Sequence, residues 1–276
     1  MAEVTTELIK RVRQLTGAGM SAVKKALVDA SGDVDKAVET LRLKGAKDVG
    51  KRAQRTAANG LIAAHLGEPA NVLLELNCET DFVAKTETFQ QLAADFAAHA
   101  ASGDPADVAA LLDSAFGGGT VASALQDAGA ALGEKLELRR FVRFAGEHVS
   151  SYLHKTSPDL PPAIGVLVEL SGEASVAGKS IAQHVAAFAP RFRAREDVPS
   201  ETVEAERRLA EQMARDEGKP EQAIPRVVEG RLGGFYRDFV LLDQASAQDP
   251  KKTVRQVLAD AGVDVVRFAR LRVGEA

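Results

Sequence analysis

The chain repeats itself, and the repetition limits its fold more than any other feature. Val72-Leu73-Leu74-Glu75-Leu76 returns as Val166-Leu167-Val168-Glu169-Leu170. Gln91, Ala94 and Phe96 return as Gln183, Ala186 and Phe188, and Arg140-Phe141-Val142-Arg143-Phe144 as Arg267-Phe268-Ala269-Arg270-Leu271. The order is the same each time: an apolar run, a helical stretch, then a strand-like segment. One duplicated α+β unit explains all three echoes. Short runs rich in leucine and β-branched residues read as buried strands, so each copy is expected to hold an antiparallel sheet covered by a helix.

In the first copy, strands are expected over 60–66 and 72–76, with a turn at Gly67-Glu68-Pro69-Ala70. The second strand stops at Asn77, and Thr80 or Asp81 can cap a helix over 81–101, because their side-chain oxygens accept from first-turn amides. Phe82, Phe89, Leu92 and Phe96 then share one helical face. After a small-residue stretch, Thr120 can cap a helix to about Leu132. A strand over 136–144 follows, with Leu138, Arg140, Val142 and Phe144 on one face, and further strands over 149–154 and 164–170. The corner Thr80-Asp81-Phe82-Val83 has an ordinary reading: a cap, a carboxylate complementing the helix dipole, and an aromatic packed under the first turn. The second copy argues for more. Its corner, Ala174-Ser175-Val176, reads as about two residues shorter and has neither acid nor aromatic, so that pair is not needed merely to turn strand into helix.

Residues 3–45 read as three short helices broken at Thr16-Gly17-Ala18-Gly19 and at Ser31-Gly32-Asp33. The glycine loop can be a tight turn only, or it can present Met20 as a docking knob, since methionine adapts to a partner's surface. Lys44, Lys47, Lys51, Arg52 and Arg55 read as a solvated linker face or as a contact with an acidic partner. Residues 197–235 interrupt the second copy. Val203, Leu209 and Met213 fall near one stripe of a charged helix, Gly218-Lys219-Pro220 turns the chain, and Ile224, Val227, Val228, Arg231 and Leu232 lie on a returning helix.

Little here points to catalysis. Cys78 is the single cysteine, which excludes an internal disulfide, and no GxxxxGK[ST] phosphate loop occurs. His65, His99, His148, His154 and His184 lack HExxH spacing. A Cys78–His154 dyad is conceivable, but a cysteine after a buried strand behaves as a small apolar residue. A net charge of −4, from 35 basic and 39 acidic residues, argues against non-specific nucleic-acid binding. No apolar run approaches the ~18 residues of a membrane span. The N-terminus is not that of a signal peptide, so a soluble cytoplasmic protein without cofactor or metal is expected.

Asn77-Cys78-Glu79-Thr80-Asp81-Phe82-Val83-Ala84-Lys85 resembles the signature of the bacterial elongation factor Ts family, the nucleotide-exchange factors of the GTPase elongation factor Tu. Thr16-Gly17-Ala18-Gly19-Met20 resembles that family's other signature, and the likeness continues through Gly133-Glu134-Lys135, Gly165-Val166-Leu167-Val168, Glu229-Gly230-Arg231 and Val273-Gly274-Glu275. The resemblance implies a non-catalytic α+β multidomain protein. A ubiquitin-associated-like three-helix bundle with a basic linker would occupy 1–55. The duplicated core would follow, with its N-subdomain at 56–150 and its C-subdomain at 151–196 and 236–276. An antiparallel coiled-coil hairpin, sometimes called a dimerisation module, would occupy 197–235. It further implies that Thr80, Asp81, Phe82 and Val83 disturb the Mg²⁺ site of elongation factor Tu, and that Arg13, Met20 and His154 make other partner contacts. No direct nucleic-acid or membrane contact is implied, and the complex is left as one-to-one or two-to-two. A scaffold without exchange activity, or an RNA-binding translation factor, is the alternative.

Overall fold

The computed structural model describes residues 4–16, 20–41, 43 and 54–275. The Gly17-Ala18-Gly19 loop and most of the basic stretch, Lys44 to Arg52, lie outside them. The chain divides into two compact units, Met1–Ala145 with Leu153–Gly165 and Leu271–Ala276, and Gly146–Tyr152 with Val166–Arg270.

In the first unit, helices α1 (Thr6–Thr16), α2 (Met20–Asp29) and α3 (34–41) bury Val12, Val23, Ala26, Leu27 and Ala37 against one another. The stop and start at 31–33 are as expected. Ser31 and Gly32 take φ of 54° and 85°, and Asp33 Oδ1 accepts from Lys36 N at 3.1 Å. Strands β1 (Asn59–His65) and β2 (Asn71–Cys78) come next, then the helices α4 (Asp81–Ala84), α5 (Glu87–Gly103) and α6 (Val108–Asp113). A two-residue ribbon of β3 (Ala115–Phe116) and β4 (Gly119–Thr120) leads into α7 (Val121–Leu132) and strand β5 (Glu137–Phe144). The sheet order is β1-β2-β5, all antiparallel, and β2 is buried from Val72 to Cys78 because it is central and lies under α5. Phe89 and Phe96 of α5 are fully buried in this core, each worth about 1.5–3 kcal/mol over exposure.

Two expectations for this unit fail for local reasons. The helix expected over 81–101 is two helices, because Thr86 ends the first turn and caps the next. Its Oγ1 donates to Val83 O at 2.8 Å and accepts from Phe89 N at 3.3 Å. Phe82 is therefore not on the buried face of Phe89 and Phe96. In β5, Leu138 and Arg140 do not share a face. A bulge opposite Glu75 and Leu76 leaves Arg139 as the extra residue, so Leu138 and Phe141 face α5 while Arg140 pairs with Glu75.

Strands β6 (Val149–His154), β7 (Ile164–Leu170) and β8 (Val265–Arg272) form a second three-stranded sheet, again with the middle strand preceding the long helix, here α8 (Ser175–Phe188). The duplication is visible in one shared ion pair. Arg140 Nε donates to Glu75 Oε2 at 2.7 Å, and Arg267 Nε to Glu169 Oε2 at 2.6 Å. The helices correspond differently from the letters. Asp104 (φ 48°) and Ala189 (φ 46°) end α5 and α8 in the same left-handed conformation. Aligned there, buried Phe96, Ala97, Ala100 and Ala101 match buried Ile181, Ala182, Val185 and Ala186. Phe188, which echoes Phe96 by letter, is half-exposed and stacks on His184 instead. The letter match is displaced by about two helical turns, which restores the same face and so imitates the register. The same alignment shows that α4 has no counterpart in the second copy.

The insertion forms α9 (Ser200–Asp216) and α10 (Ile224–Phe239), which pack on Ala210, Ala214, Ile224, Val228 and Leu232. Arg215–Glu221 and Arg207–Glu229 ion pairs move apart along both helices together, so the helices are antiparallel. Leu209 and Met213, which the sequence places near one stripe with Val203, are exposed; the alanines at 210 and 214 are what α10 closes upon. The last helix, α11 (Val254–Asp260), starts at a capping box of Thr253 and Gln256. No described helix is long and apolar enough to cross a membrane.

Two polar sites inside the units generate predictions. Glu75 is fully buried, and its Oε1 also accepts from Gly274 N at 2.9 Å and from Asn77 Nδ2 at 3.2 Å. Glu75→Ala takes an acceptor from Arg140, Gly274 N and Asn77 at once and should cost about 3 kcal/mol in chemical denaturation, while the Glu75→Leu/Arg140→Leu pair should recover only part of it, since Gly274 N stays without that acceptor. In the second unit, buried His184 accepts from Ala247 N at its Nδ1 (3.2 Å), leaving Nε2–H for Gln244 Oε1 (2.8 Å). Burial holds its pKa below the ordinary 6.5, against the opposing hydrogen bond to Gln244. The neutral form is the folded one, so this stability is complete above pH 6.5 and is lost as pH falls through the lowered value. Denaturation midpoints should drop between pH 7 and 5, and His184→Leu, although less stable, should lose that slope.

Candidate functional site

The corner between β2 and α5 is built by Thr80, Asp81, Phe82 and Val83, which the sequence points to, and is braced by Glu134, to which the sequence assigns no role although it stands in the Gly133-Glu134-Lys135 motif. Thr80, in extended conformation (φ −126°, ψ 156°), is the cap of α4, accepting from Val83 N at 3.4 Å. A single helical turn has little stability of its own, since nucleation fixes several residues for one hydrogen bond. The turn is held from outside. Glu134 Oε2 accepts from Glu79 N and Thr80 N, each at 3.0 Å, and Glu134 Oε1 accepts from the Thr80 hydroxyl at 2.5 Å. Glu79 returns the contact: its Oε1 accepts from Lys135 N at 2.6 Å and from Arg55 Nη1 at 3.2 Å. Asn59 Nδ2 fastens Glu79 O at 2.7 Å. The loop carrying Glu134 is aimed by Gly133, which ends α7 at φ 78°.

The consequence is a divided turn. Val83 and Ala84 go inward and join Cys78 and Leu61 in the core, while Phe82 goes outward and is 78% exposed. Burying such a ring elsewhere in the fold is worth about 1.5–3 kcal/mol, and this one forgoes it. Asp81 is half-exposed and pairs with Lys85 at 3.1 Å, and the Lys85 ammonium lies 5.9 Å from the centre of the Phe82 ring. A cavity of about 210 Å³ opens beside the turn, with Asp81 and Ala84 on one side, Thr156, Leu160 and Pro161 on the other, and Arg272 at its wall.

The remaining sequence-picked residues are placed as follows. His154 ends β6 on the surface, its carbonyl accepting from Ala163 N at 2.9 Å, two residues before the Thr156 that lines the cavity. Arg13 lies in the last turn of α1 and Met20 opens α2; both are exposed, Met20 at 60%. Cys78 forms no dyad with His154. Its thiol donates to Thr80 O at 3.1 Å, and burial, seconded by the carboxylate of Glu134, pushes its pKa up to about 12. Among the described residues no cluster of His, Cys, Asp and Glu could hold a metal ion. Glu134 and Lys85 escaped attention as site residues, although both stand inside motifs already singled out.

A family model described as "Elongation factor TS" matches residues 79–275. The chain is 60% identical to "Elongation factor Ts" of Acidothermus cellulolyticus over 275 residues, and 56% identical to that of Thermobifida fusca over 278. It is 55% identical over 276 residues to the protein of that name from Mycobacterium tuberculosis. In each case the alignment covers 100% of both chains.

The bracing gives a prediction of its own. Glu134→Ala removes three acceptor contacts from the corner and should cost about 1–3 kcal/mol. Amide hydrogen exchange at Glu79 and Thr80 should accelerate above the global rate, while β2 stays protected; unchanged exchange at those two amides would refute the brace.

Proposed function

The chain belongs to the elongation factor Ts family of translation elongation factors, and from that premise we propose that it is the guanine nucleotide exchange factor of elongation factor Tu, acting non-catalytically in the cytoplasm. The carrying observation is the corner itself: an aromatic ring exposed at 78%, beside a half-exposed carboxylate, on a turn braced by Glu134. In this reading Thr80–Val83 enters the GTPase near its Mg²⁺. Phe82 wedges between side chains, and Asp81 exchanges its pairing with Lys85 for a contact that disturbs the ion's hold. Mg²⁺ demands near-ideal octahedral geometry, so a small displacement of its surroundings weakens it disproportionately. Giving up an exposed i,i+4 pair costs only about 0.3–0.5 kcal/mol, so Lys85 restrains Asp81 without locking it.

Arg13 and Met20 grip the nucleotide domain and His154 adds a contact. Each factor of ten taken off GDP affinity corresponds to about 1.4 kcal/mol, and GDP takes the same factor off the exchange protein's own binding. The four-part division stated above belongs to this reading: the 1–55 bundle as ubiquitin-associated-like, the core as 56–150 and 151–196 with 236–276, and 197–235 as a coiled coil. Gel-filtration mass with elongation factor Tu separates a one-to-one from a two-to-two complex.

Replacing Asp81 and Phe82 by alanine should slow stimulated release of fluorescent GDP at least tenfold. Phe82 is exposed and Asp81 half-exposed, so the melting transition should move by no more than about 0.5 kcal/mol. Release at the wild-type rate would dismiss the corner as the acting element. Binding without any acceleration by the wild-type chain would make it a scaffold.

A further inference from the structure

The duplication leaves the molecule with two matching grooves whose charges differ. In each copy the last strand presents an arginine, a phenylalanine and a second arginine at the same places, Arg140, Phe141 and Arg143 in β5 and Arg267, Phe268 and Arg270 in β8. In each copy the facing wall is the segment that follows the long helix. The grooves are similar in size, about 690 Å³ and 620 Å³.

The walls are opposite in sign. In the first copy the wall is Asp104-Pro105-Ala106-Asp107, and Arg143 pairs with Asp104 at 2.8 Å. That lining holds two arginines and two aspartates. In the second copy the wall is Pro190-Arg191-Phe192-Arg193, and the lining holds four arginines against Asp197. Asp197 is engaged by Arg193 at 3.1 Å, and Glu169 beneath the strand by Arg267 at 2.6 Å. Arg191 is exposed and lies over the rings of Phe192 and Phe239 at 5.5 and 5.6 Å. The chain as a whole is acidic, at −4, so this local excess of positive charge is not a reflection of composition.

We propose that the groove between β8 and residues 190–193 is a docking site for an acidic, extended segment of another protein. The first copy displays the chemistry that suits this strand: a short aspartate-bearing stretch with proline, laid across from an Arg-Phe-x-Arg edge. The second copy has the same edge, but its wall has Ala189 and Phe192 at the places of the two aspartates and adds Arg191 and Arg193 beside them, so a matching aspartate-bearing stretch would come from outside the chain. Arginine suits that task because its planar fork pairs carboxylates while its face stacks on aromatic rings. A nucleic acid is the weaker candidate, because the rings nearest the arginines are covered by them and half-buried rather than offered for base stacking. The site lies apart from the corner in sequence and does not depend on the exchange reading.

The test uses the full chain alone, with a fluorescein-labelled peptide carrying Asp-Pro-Ala-Asp twice in tandem, read by anisotropy. The peptide should bind, and binding should weaken with salt. The Asn-Pro-Ala-Asn version should bind at least tenfold more weakly. Arg191→Glu should lower affinity about tenfold and Arg191→Lys much less, with stimulated GDP release unchanged in both. No binding by the acidic peptide, equal binding of the two peptides, or indifference to Arg191→Glu would overturn the proposal. So would displacement of the peptide by a single-stranded RNA oligonucleotide at lower concentration, which would make the groove a nucleic-acid site.

Discussion

The carboxylate of Glu134 holds the corner in an arrangement that leaves Phe82 outside. A chain leaving a central strand has its backbone amides exposed to loss of partners just where the helix has not yet begun. Two of those amides, Glu79 N and Thr80 N, are satisfied by one carboxylate oxygen, and the Thr80 hydroxyl by the other. With the turn fixed, Val83 and Ala84 fill the core, and helical geometry then dictates that Phe82 points away from it. Exposure of the ring is thus a consequence of backbone hydrogen bonding, not of a loose segment. Burial, seconded by the same carboxylate, pushes the pKa of the Cys78 thiol up and keeps it protonated at the base of the corner.

The second copy shows what the fold needs when no such corner is present. From β7 the chain passes to α8 with no side-chain cap at Ala174 and no separate helical turn. The sheet order, the buried helix face and the glutamate–arginine pair at the strand centre are all retained. Whatever α4 contributes, it is not the ability to join that strand to that helix. A packed core restricts variation far more than a surface loop does. The two copies accordingly agree in the core and differ at the corner and at the groove wall.

That division also explains what was legible in the sequence. The strands, the cap at Thr120, the duplication and the corner residues follow from patterns of burial and capping that act over a few neighbouring positions. The break at Lys85-Thr86 was not legible, because Thr86 within a continuous apolar period is indistinguishable from a surface threonine until its hydroxyl is seen to cap Phe89 N. The bulge in β5 was hidden for a similar reason: Arg139 is the extra residue, yet alternation of Leu138, Arg140 and Val142 reads as a regular strand. The false equivalence of Phe96 with Phe188 came from helical periodicity itself, which restores a face every two turns. Glu134 could have been found, since the glycine before it predicts a chain reversal at that place, but nothing local says that it reaches residues 79 and 80.

A rigidly presented aromatic is the form that a displacing element should take. An exchange factor must spend part of its binding free energy on distorting the partner, and any ordering of its own side chains would be subtracted from that amount. In the corner the turn is capped, braced and anchored, and the one side-chain pair that the proposed engagement would break is Asp81–Lys85. Phe82, 78% exposed, keeps most of its apolar surface available for the contact proposed for it. On the proposed exchange reading, fixed projection of the ring and weak restraint of the acid would serve opposite ends of one cycle. The first would make engagement with a GDP-bound partner effective, and the second would let Asp81 return to Lys85 when the complex separates.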